Sequence, residues 1–540
     1  MDVEKKKEIT VDDILLDLGP FGKFHSLNYI LILFPVLLAG MYSSVYNFEA
    51  MDLKYRCTVP ECEDPAVVNF SIPHVDGEPS KCRRYAPFAN VSLNDTCSEH
   101  FYDTSTEIKC DSYVYFEEHS IVKEFNLGCQ DWKRSLVGTV HNAGFFISIP
   151  LTGLLSDKYG RRIAVVFASV ANGVFGVIRA FSLNYEMFIV LEFLEPALGG
   201  GVYTACFVLA MELAGPKGRV LVSLLFNTMF ILGGVSVTTL SWWLQSWRHL
   251  LLIIYTPAIL VFFYIWSLTE SFRWFFSKGR YEDGINVLKS CEKFNKVSVP
   301  TDHYDQVEKQ AMQQRDAVKF ESLEANSSSF KQTFCSALIW KRLFICSFLW
   351  TASTLVYYGL SINAIELSGN AYMNYIVVIL IEAPANVCKL FCLDRFGRKK
   401  VIGTAFVLTG IILIAYGFIP GGYWSTTFYL GGKFFITLAY NSLYIFAAEV
   451  FPTNYRTTLL AICSTLGRVG STLAPQTPLL SKLYEFLPTI LFGVMSALSG
   501  LIVMTLPETN NQKLPDSLKE ARAQDRKNTN EKTTDNKTRL

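Results

Sequence analysis

The residues of this chain that can do chemistry are charges placed where charge is costly. Arg468, Lys433, Glu382, Glu192 and Glu195 all fall inside long apolar runs, and a charged side chain at the centre of a bilayer costs at least about 2.5 kcal/mol. Such residues face a polar cavity or pair with one another. Two of them come with backbone devices. Glu382 stands in Glu382-Ala-Pro384-Ala-Asn386, where the proline frees a backbone carbonyl beside a carboxylate and an amide. Arg468 stands in Gly467-Arg468-Val-Gly470-Ser471, whose glycines allow close approach to the helix. Trp350, Tyr357, Tyr358, Tyr440 and Tyr444 recur at helical spacings and can supply a cation–π wall, each ring contributing about 0.5–2 kcal/mol. The plainer readings are that these aromatics pack against helices or lipid and that Arg468 neutralises Glu382. No cysteine–histidine metal spacing and no phosphate-binding glycine loop occurs, so no metal, no cofactor and no enzyme is expected. His141, in His141-Asn142-Ala-Gly144, reads as a pore-lining or packing residue.

A second set of charges repeats. Gly153-Leu-Leu-Ser-Asp157-Lys-Tyr-Gly160-Arg161-Arg162 is a short turn between two apolar runs, and Lys158, Arg161 and Arg162 place it on the cytoplasmic side by the positive-inside rule. Asp394-Arg-Phe-Gly397-Arg398-Lys399 matches its second part position for position. Glu212 followed by Arg219 recurs as Glu449 followed by Arg456, and Asp157 to Glu212 and Asp394 to Glu449 are both 55 positions. Glu270 in Thr269-Glu270-Ser271 answers to Glu508 in Pro507-Glu508-Thr509, one residue out of register. Such spacing describes a tandem duplication of a six-helix unit, and parallel repeats about an axis along the membrane normal are one architecture of secondary transporters. The opposite charges of this set can pair across neighbouring helices when an inner mouth is closed and separate when it opens, each pair contributing about 1–3 kcal/mol. The alternative is a purely topogenic cluster.

The elements that must position these groups are apolar helices. Half of the 540 residues are hydrophobic and 14% aromatic, which suits a polytopic membrane protein. A near-zero net charge of +1 gives no footprint for nucleic acid. Runs of about 20 apolar residues predict twelve spans, at 27–46, 136–155, 163–181, 187–213, 221–243, 250–268, 343–362, 371–393, 401–419, 428–448, 459–480 and 486–506. The expected organisation is a cytoplasmic N-terminus (1–26), a first bundle (27–268), a cytoplasmic linker (269–340), a second bundle (341–506) and a cytoplasmic tail (507–540). The linker carries amphipathic surface helices at 281–295 and 302–320. No cleaved signal peptide is read in the first 26 residues, so the first helix serves as signal anchor. After it comes a polar loop, 47–131, with Cys57, Cys62, Cys82, Cys97, Cys110 and Cys129 and with sequons at Asn69, Asn90 and Asn94. An even cysteine count together with glycosylation sequons argues for an oxidising, lumenal or extracellular side for this loop, with fifteen disulfide pairings open; the expected location is the plasma membrane. The C-terminus, Thr538-Arg539-Leu540, can add as a strand to a PDZ domain.

The six-cysteine loop, the Gly153–Arg162 turn, Glu270-Ser-Phe-Arg273-Trp274, Ala448-Glu449-Val-Phe-Pro452-Thr453-Asn-Tyr-Arg456 and Leu506-Pro507-Glu508-Thr509 together resemble the organic cation/anion/carnitine transporter family of the major facilitator superfamily. The resemblance implies an all-α membrane protein of twelve transmembrane helices in two six-helix bundles, with a central substrate cavity worked by alternating access. This chain departs from it at Leu390, where the first half has Gly153, and at Glu192, where many major facilitators have arginine. In the resembling family, cation carriers tend to have aspartate at the position of Arg468, and anion and carnitine carriers arginine. The anion branch usually adds a basic residue in the eighth helix, where this chain has Asn386. One fixed positive charge facing several acids suits a carnitine-like zwitterion: Arg468 takes the carboxylate as a bidentate partner, and an acid with aromatic faces takes the ammonium. Organic cations are the second expectation and organic anions the third. A transport-inactive sensor on the same fold is the rival class, and a channel would have no use for a duplicated charged gate.

Overall fold

The computed structural model describes residues 13–15, 18, 22–59, 68–75, 78–88, 102–215, 218–300, 302–310, 312–313, 336–367, 369–419, 422–452 and 456–510. Cys62, Cys97, Asn90, Asn94 and the tail 538–540 lie outside the described residues, as does the side chain of Asn69.

Among them are six long helical segments in each half. In the first half α1 is Lys23–Glu49, α2 Asp131–Tyr159, α3 Arg161–Ala180, α4 the pair Tyr185–Gly199 and Val202–Leu213, α5 Arg219–Leu244 and α6 Trp247–Leu260. In the second half α7 is Ala337–Asn363, α8 the pair Ala371–Leu380 and Glu382–Phe396, α9 Arg398–Tyr416, α10 Tyr423–Val450, α11 Arg456–Leu473 and α12 Leu487–Val503. Eight of these, by length and hydropathy alone, are long and apolar enough to cross a membrane. The break in α8 has a sequence cause. Pro384 has no N–H for the carbonyl four residues before it, and the helix is interrupted at Ile381.

The helix pairs of the two halves correspond. Helix α1 packs on α5, α3 on α6, α2 on α4 and α3 on α4; likewise α7 packs on α11, α9 on α12, α8 on α10 and α9 on α10. Glycine permits the closest of these approaches. A side-chain carbon at Gly233 of α5 would stand 2.9 Å from the Cα of Gly40 in α1, so the two backbones touch where no larger residue fits. The halves meet through α2 against α11 and α8 against α5, two contacts that the repeat exchanges for each other.

The loop between α1 and α2 is more than irregular chain. It holds three two-stranded antiparallel sheets: β1 (Tyr55–Cys57) with β6 (Tyr113–Tyr115), β2 (His74–Val75) with β3 (Glu78–Pro79), and β4 (Arg83–Pro87) with β5 (Tyr102–Lys109). Disulfides join Cys57 to Cys110 and Cys82 to Cys129, with Cα–Cα distances of 5.5 and 5.8 Å, and Val59, Ile72 and Tyr102 pack around the first. So short a set of strands buries little apolar surface and depends on its cross-links.

Between the halves, Tyr281–Asn295 forms the first expected surface helix and residues 302–310 and 312–313 are helical. The former is tied to the start of α1: the amide of Phe24 donates to Asn295 Oδ1 (2.9 Å), and Asn295 Nδ2 donates to the Leu18 carbonyl (2.9 Å).

Candidate functional site

The charges inside the spans fall into separate groups. In the second half α10 brings Lys433 against α8, where its Nζ lies 2.9 Å from Glu382 Oε1. The same ammonium donates to Ser361 Oγ (2.7 Å) and sits 3.4 Å from the centre of the Tyr357 ring, while the Tyr357 hydroxyl donates to Glu382 Oε1 (2.7 Å). Asn386, one turn further along α8, accepts from Asn441 Nδ2 (2.7 Å). Glu382 is therefore neutralised by Lys433 and not by Arg468.

Arg468 is held elsewhere. Gly467 presses on Trp350 and Gly470 on the backbone of α7, so α11 lies close against α7 and carries the arginine toward the other half. Its guanidinium stands 5.1 Å from the ring of Phe145 in α2 and has the Tyr358, Tyr440 and Tyr444 side chains beside it. Among the described residues no carboxylate pairs with it. Around it the rings interlock: Trp350 to Tyr444 at 4.2 Å, Tyr357 to Tyr440 at 5.3 Å, Tyr357 to Tyr358 at 5.1 Å, with Tyr440 and Tyr444 hydroxyls 3.2 Å apart. Trp350, 1% exposed, stands behind this wall rather than on it.

Two cavities lie along the junction of the halves. A narrow one, about 40 Å³, is lined by Ser43, Tyr46, Tyr357, Tyr358, Tyr375 and Glu382. A larger one, about 420 Å³, opens toward the cysteine loop between Asp52, Arg134, Glu366 and Lys482. Tyr46 and Asn47 line both and form the partition. Outside the spans, burial pushes the Asp52 carboxyl up, but Arg134 and Lys81, the latter at 2.9 Å, outweigh it and hold Asp52 below the usual carboxylate range.

Glu192 and Glu195 are not on the cavity wall. Both are buried in the first half, in contact with Arg179 of α3 and His141 of α2, and Glu49 joins them from the end of α1. Sequence reasoning passed over Arg179 and Glu49. The arginine stands near the end of an apolar run and reads as a flank. Glu49 lies past the predicted end of the first span, at 46, although α1 includes it.

The duplicated charges form one network twice, at the end of the helices opposite the cysteine loop. Gly160 takes a φ of +110° and Gly397 one of +91°, open to glycine but strained for other residues. Each turn starts a helix whose first amides meet a carboxylate, the buried Glu270 in the first half and the half-buried Glu508 in the second. Glu270 accepts from the amides of Arg161 (2.9 Å) and Arg162 (3.1 Å), and Glu508 from that of Arg398 (3.0 Å), as a helix N-terminus favours. Burial raises the Glu270 carboxyl above its usual range in spite of the three amides that face it. Arg161 also pairs with Asp157 (2.7 Å) and Glu212 (3.0 Å), and Arg398 with Asp394 (3.1 Å) and Glu449 (3.5 Å). Arg219 and Arg456 begin α5 and α11. These pairs join neighbouring helices within each half.

The contacts joining the halves cluster at the other end. Asn47 Nδ2 donates to the Tyr375 hydroxyl (3.2 Å), Phe48 packs on Tyr372 and Tyr375, Gln476 Nε2 donates to Thr139 Oγ1 (2.6 Å), Arg134 pairs with Glu366 (3.4 Å), and Lys482 pairs with Asp131.

Comparison with known proteins agrees with this geometry. The chain is 29% identical over 523 residues to the organic cation transporter protein of Drosophila melanogaster, covering 94% of each. It is 28% identical over 525 residues to organic cation/carnitine transporter 2 of Homo sapiens, covering 94% of this chain and 93% of that one. Among solved structures, the inward open conformation of the xylose transporter XylE from E. coli superimposes with a TM-score of 0.60 at 16% identity, over 92% of this chain and 98% of that one. A second structure of that protein is described as a major facilitator superfamily proton:xylose symporter and gives a TM-score of 0.59 at 16% identity, over 92% and 98%; the fold is thus that of the major facilitators. The profile of the family described as "Sugar (and other) transporter" matches residues 90–517, and this chain belongs to that transporter family.

Proposed function

We propose that this chain carries small organic ions across the plasma membrane by alternating access, with carnitine-like zwitterions and organic cations as its substrates. The observation that carries the reading is Arg468, a guanidinium at the junction of the halves with phenol rings around it and no carboxylate partner among the described residues. A substrate carboxylate supplies the missing charge as a bidentate partner. The Tyr358, Tyr440 and Tyr444 faces beside it are suited to a quaternary or primary ammonium. The relatives named for organic cations and for carnitine support the same substrate class.

In this reading the two bodies that rock are 27–268 and 341–506, the cysteine loop faces outward, and both termini and the linker 269–340 face inward. Contacts gathered toward the cysteine loop then correspond to an outwardly closed, inwardly open state. The Asp157 and Asp394 carboxylates, exposed beside their arginines, come to face the opposite half when the inner mouth closes.

The test is one uptake assay with labelled carnitine, tetraethylammonium and a dicarboxylate, with and without sodium. Charge-assisted hydrogen bonds contribute about 1.5–3 kcal/mol, so Arg468→Ala is expected to weaken carnitine uptake about 10- to 100-fold and to spare tetraethylammonium. Unchanged carnitine uptake overturns the assignment. Counterflow separates a carrier, which unlabelled substrate on the far side stimulates, from a transport-inactive sensor on the same fold. Asp157→Asn is expected to reach the cell surface and transport poorly; normal uptake removes it from the gate.

A further inference from the structure

Five ionisable side chains from four helices meet in the first half with no route to solvent. Glu49 (α1), Arg179 (α3) and Glu192 (α4) are 0% exposed, and His141 (α2) and Glu195 (α4) 1%. Arg179 stands in the middle, bonded to Glu192 and 3.5 Å from both Glu49 and Glu195. His141 Nδ1 is 2.8 Å from Glu192 and 3.8 Å from Glu195. Tyr255 of α6 accepts from Arg179 (3.1 Å), and Tyr42 of α1 stacks on Tyr255. The charges do not balance. With all three carboxyls ionised, one guanidinium leaves two negative charges in a site sealed from water, and one even with His141 protonated, and a buried charge persists only when compensated.

Independent geometry says where a compensating proton sits. The carboxyls of Glu49 and Glu192 flank the same guanidinium, each against one of its terminal nitrogens. An ionised carboxylate sealed from water is stable only when its oxygens accept hydrogen bonds, so a carboxyl left without donors is the one that holds the proton. Neither oxygen of Glu49, nor Oε2 of Glu195, accepts a hydrogen bond from any described residue. The guanidinium already occupies the space between the three carboxyls, where a metal ion would need to be, and no metal-holding group of acids, histidines and cysteines occurs among the described residues.

We propose that the Glu49–Glu192 pair is a proton-binding site and that its occupancy is coupled to the central cavity. The coupling part rests on the carrier reading above. Two contacts carry it. His141 packs on Tyr46, which lines both cavities (5.0 Å), and on Phe145 (5.8 Å), the ring that covers the Arg468 guanidinium. In addition, Asn47 and Phe48, the residues just before Glu49 in α1, contact Tyr375 of the other half. When those contacts part, the end of α1 is uncovered and the proton can leave to water on the loop side. When they close, as here, it is occluded. The ion bound is the proton, taken up and released on the loop side in step with the parting and closing of the halves.

The test has an arm independent of substrate. Infrared spectroscopy of the purified chain in lipid is expected to show the carbonyl band of a protonated, buried carboxyl at neutral pH, shifted in heavy water and lost in both Glu49→Gln and Glu192→Gln. In proteoliposomes, changing the pH on the loop side alone is expected to change carnitine or tetraethylammonium uptake several-fold. Glu49→Gln, which fixes the site in its protonated form, is expected to lose that dependence on pH, whereas a merely structural role lowers uptake at every pH and leaves its dependence on pH in place. Absence of the band in the wild-type chain overturns the proton site even where either variant fails to fold. A sodium jump that removes the band at fixed pH assigns the site to sodium and overturns it equally. A band present with neither probe transported leaves the proton site standing and counts against the carrier reading alone.

Discussion

A lysine and a glutamate facing each other across two helices show how a buried charge is tolerated. Lys433 and Glu382 bind at 2.9 Å and share Tyr357 between them. Removing one partner of such a pair costs about 3–5 kcal/mol, while replacing both by apolar residues is close to neutral. Lys433→Met is therefore expected to lower the midpoint of thermal unfolding sharply, and Lys433→Met with Glu382→Leu to recover most of it. A single variant as stable as the double refutes the pairing. The costly charges of the spans were legible in the sequence, because an ionised group in an apolar run stands out whatever its rotation. Their partners were not. Whether Glu382 meets Arg468 or Lys433 depends on how α8 and α10 are turned, and Glu192 lost its place on the cavity wall to Arg179, a residue that reads as the end of a run.

Helix ends and helix contacts here depend on positions that tolerate nothing but glycine or a fixed carboxylate. Gly233→Leu drives a side chain into α1 at Gly40, and overpacking of this kind costs about 1–3 kcal/mol; a lowered unfolding midpoint in detergent checks it. At the charged turns, Glu270 closes the first amides of α3, and burial raises its carboxyl above the usual range. The folded chain then holds a proton over a pH interval in which the unfolded chain has released it. Stability must fall as pH rises from the ordinary carboxylate value through the raised one, and level off above it. Glu270→Gln is expected to remove that part of the pH profile of the melting temperature; an unchanged profile assigns it to another group. The turns themselves were readable from Gly160, Gly397 and the 55-residue spacing. The closing role of Glu270 and Glu508 was not, since a carboxylate more than a hundred residues away gives no local signal.

At the scale of the molecule, the repeat of charged turns gave away the duplication, and the packing of α1 on α5 matched by α7 on α11 follows from it. The strands and disulfides of the cysteine loop could not be read, because alternation over two or three residues carries no pattern. Nor could the side on which the halves close, which is a property of the state rather than of the composition. That state is set by few contacts. Arg134 with Glu366 and Lys482 with Asp131 are partly exposed pairs that contribute about 0.2–1 kcal/mol each. A difference of 1.4 kcal/mol is tenfold in an equilibrium constant, so Arg134→Ala with Lys482→Ala together shift the balance toward opening at the loop side by up to about thirtyfold. Arg134 also helps hold Asp52 below the usual carboxylate range, so its stabilisation is present above that range and is lost as pH falls through the lowered value. Acid that neutralises Glu366 weakens its pair with Arg134 across the halves and so pushes in the same direction as the double variant. A cysteine introduced at Ser361, on the wall of the narrow cavity, in a chain with Cys388 and Cys392 replaced by serine, reads this out. Its labelling by a membrane-impermeant thiol reagent from the loop side is expected to rise in the double variant and to rise likewise on acidification of the parent chain. Labelling that is indifferent to both places the latch elsewhere, in the ring contacts of Phe48 with Tyr372 and Tyr375, where removing an aromatic face rather than a charge is what opens the path.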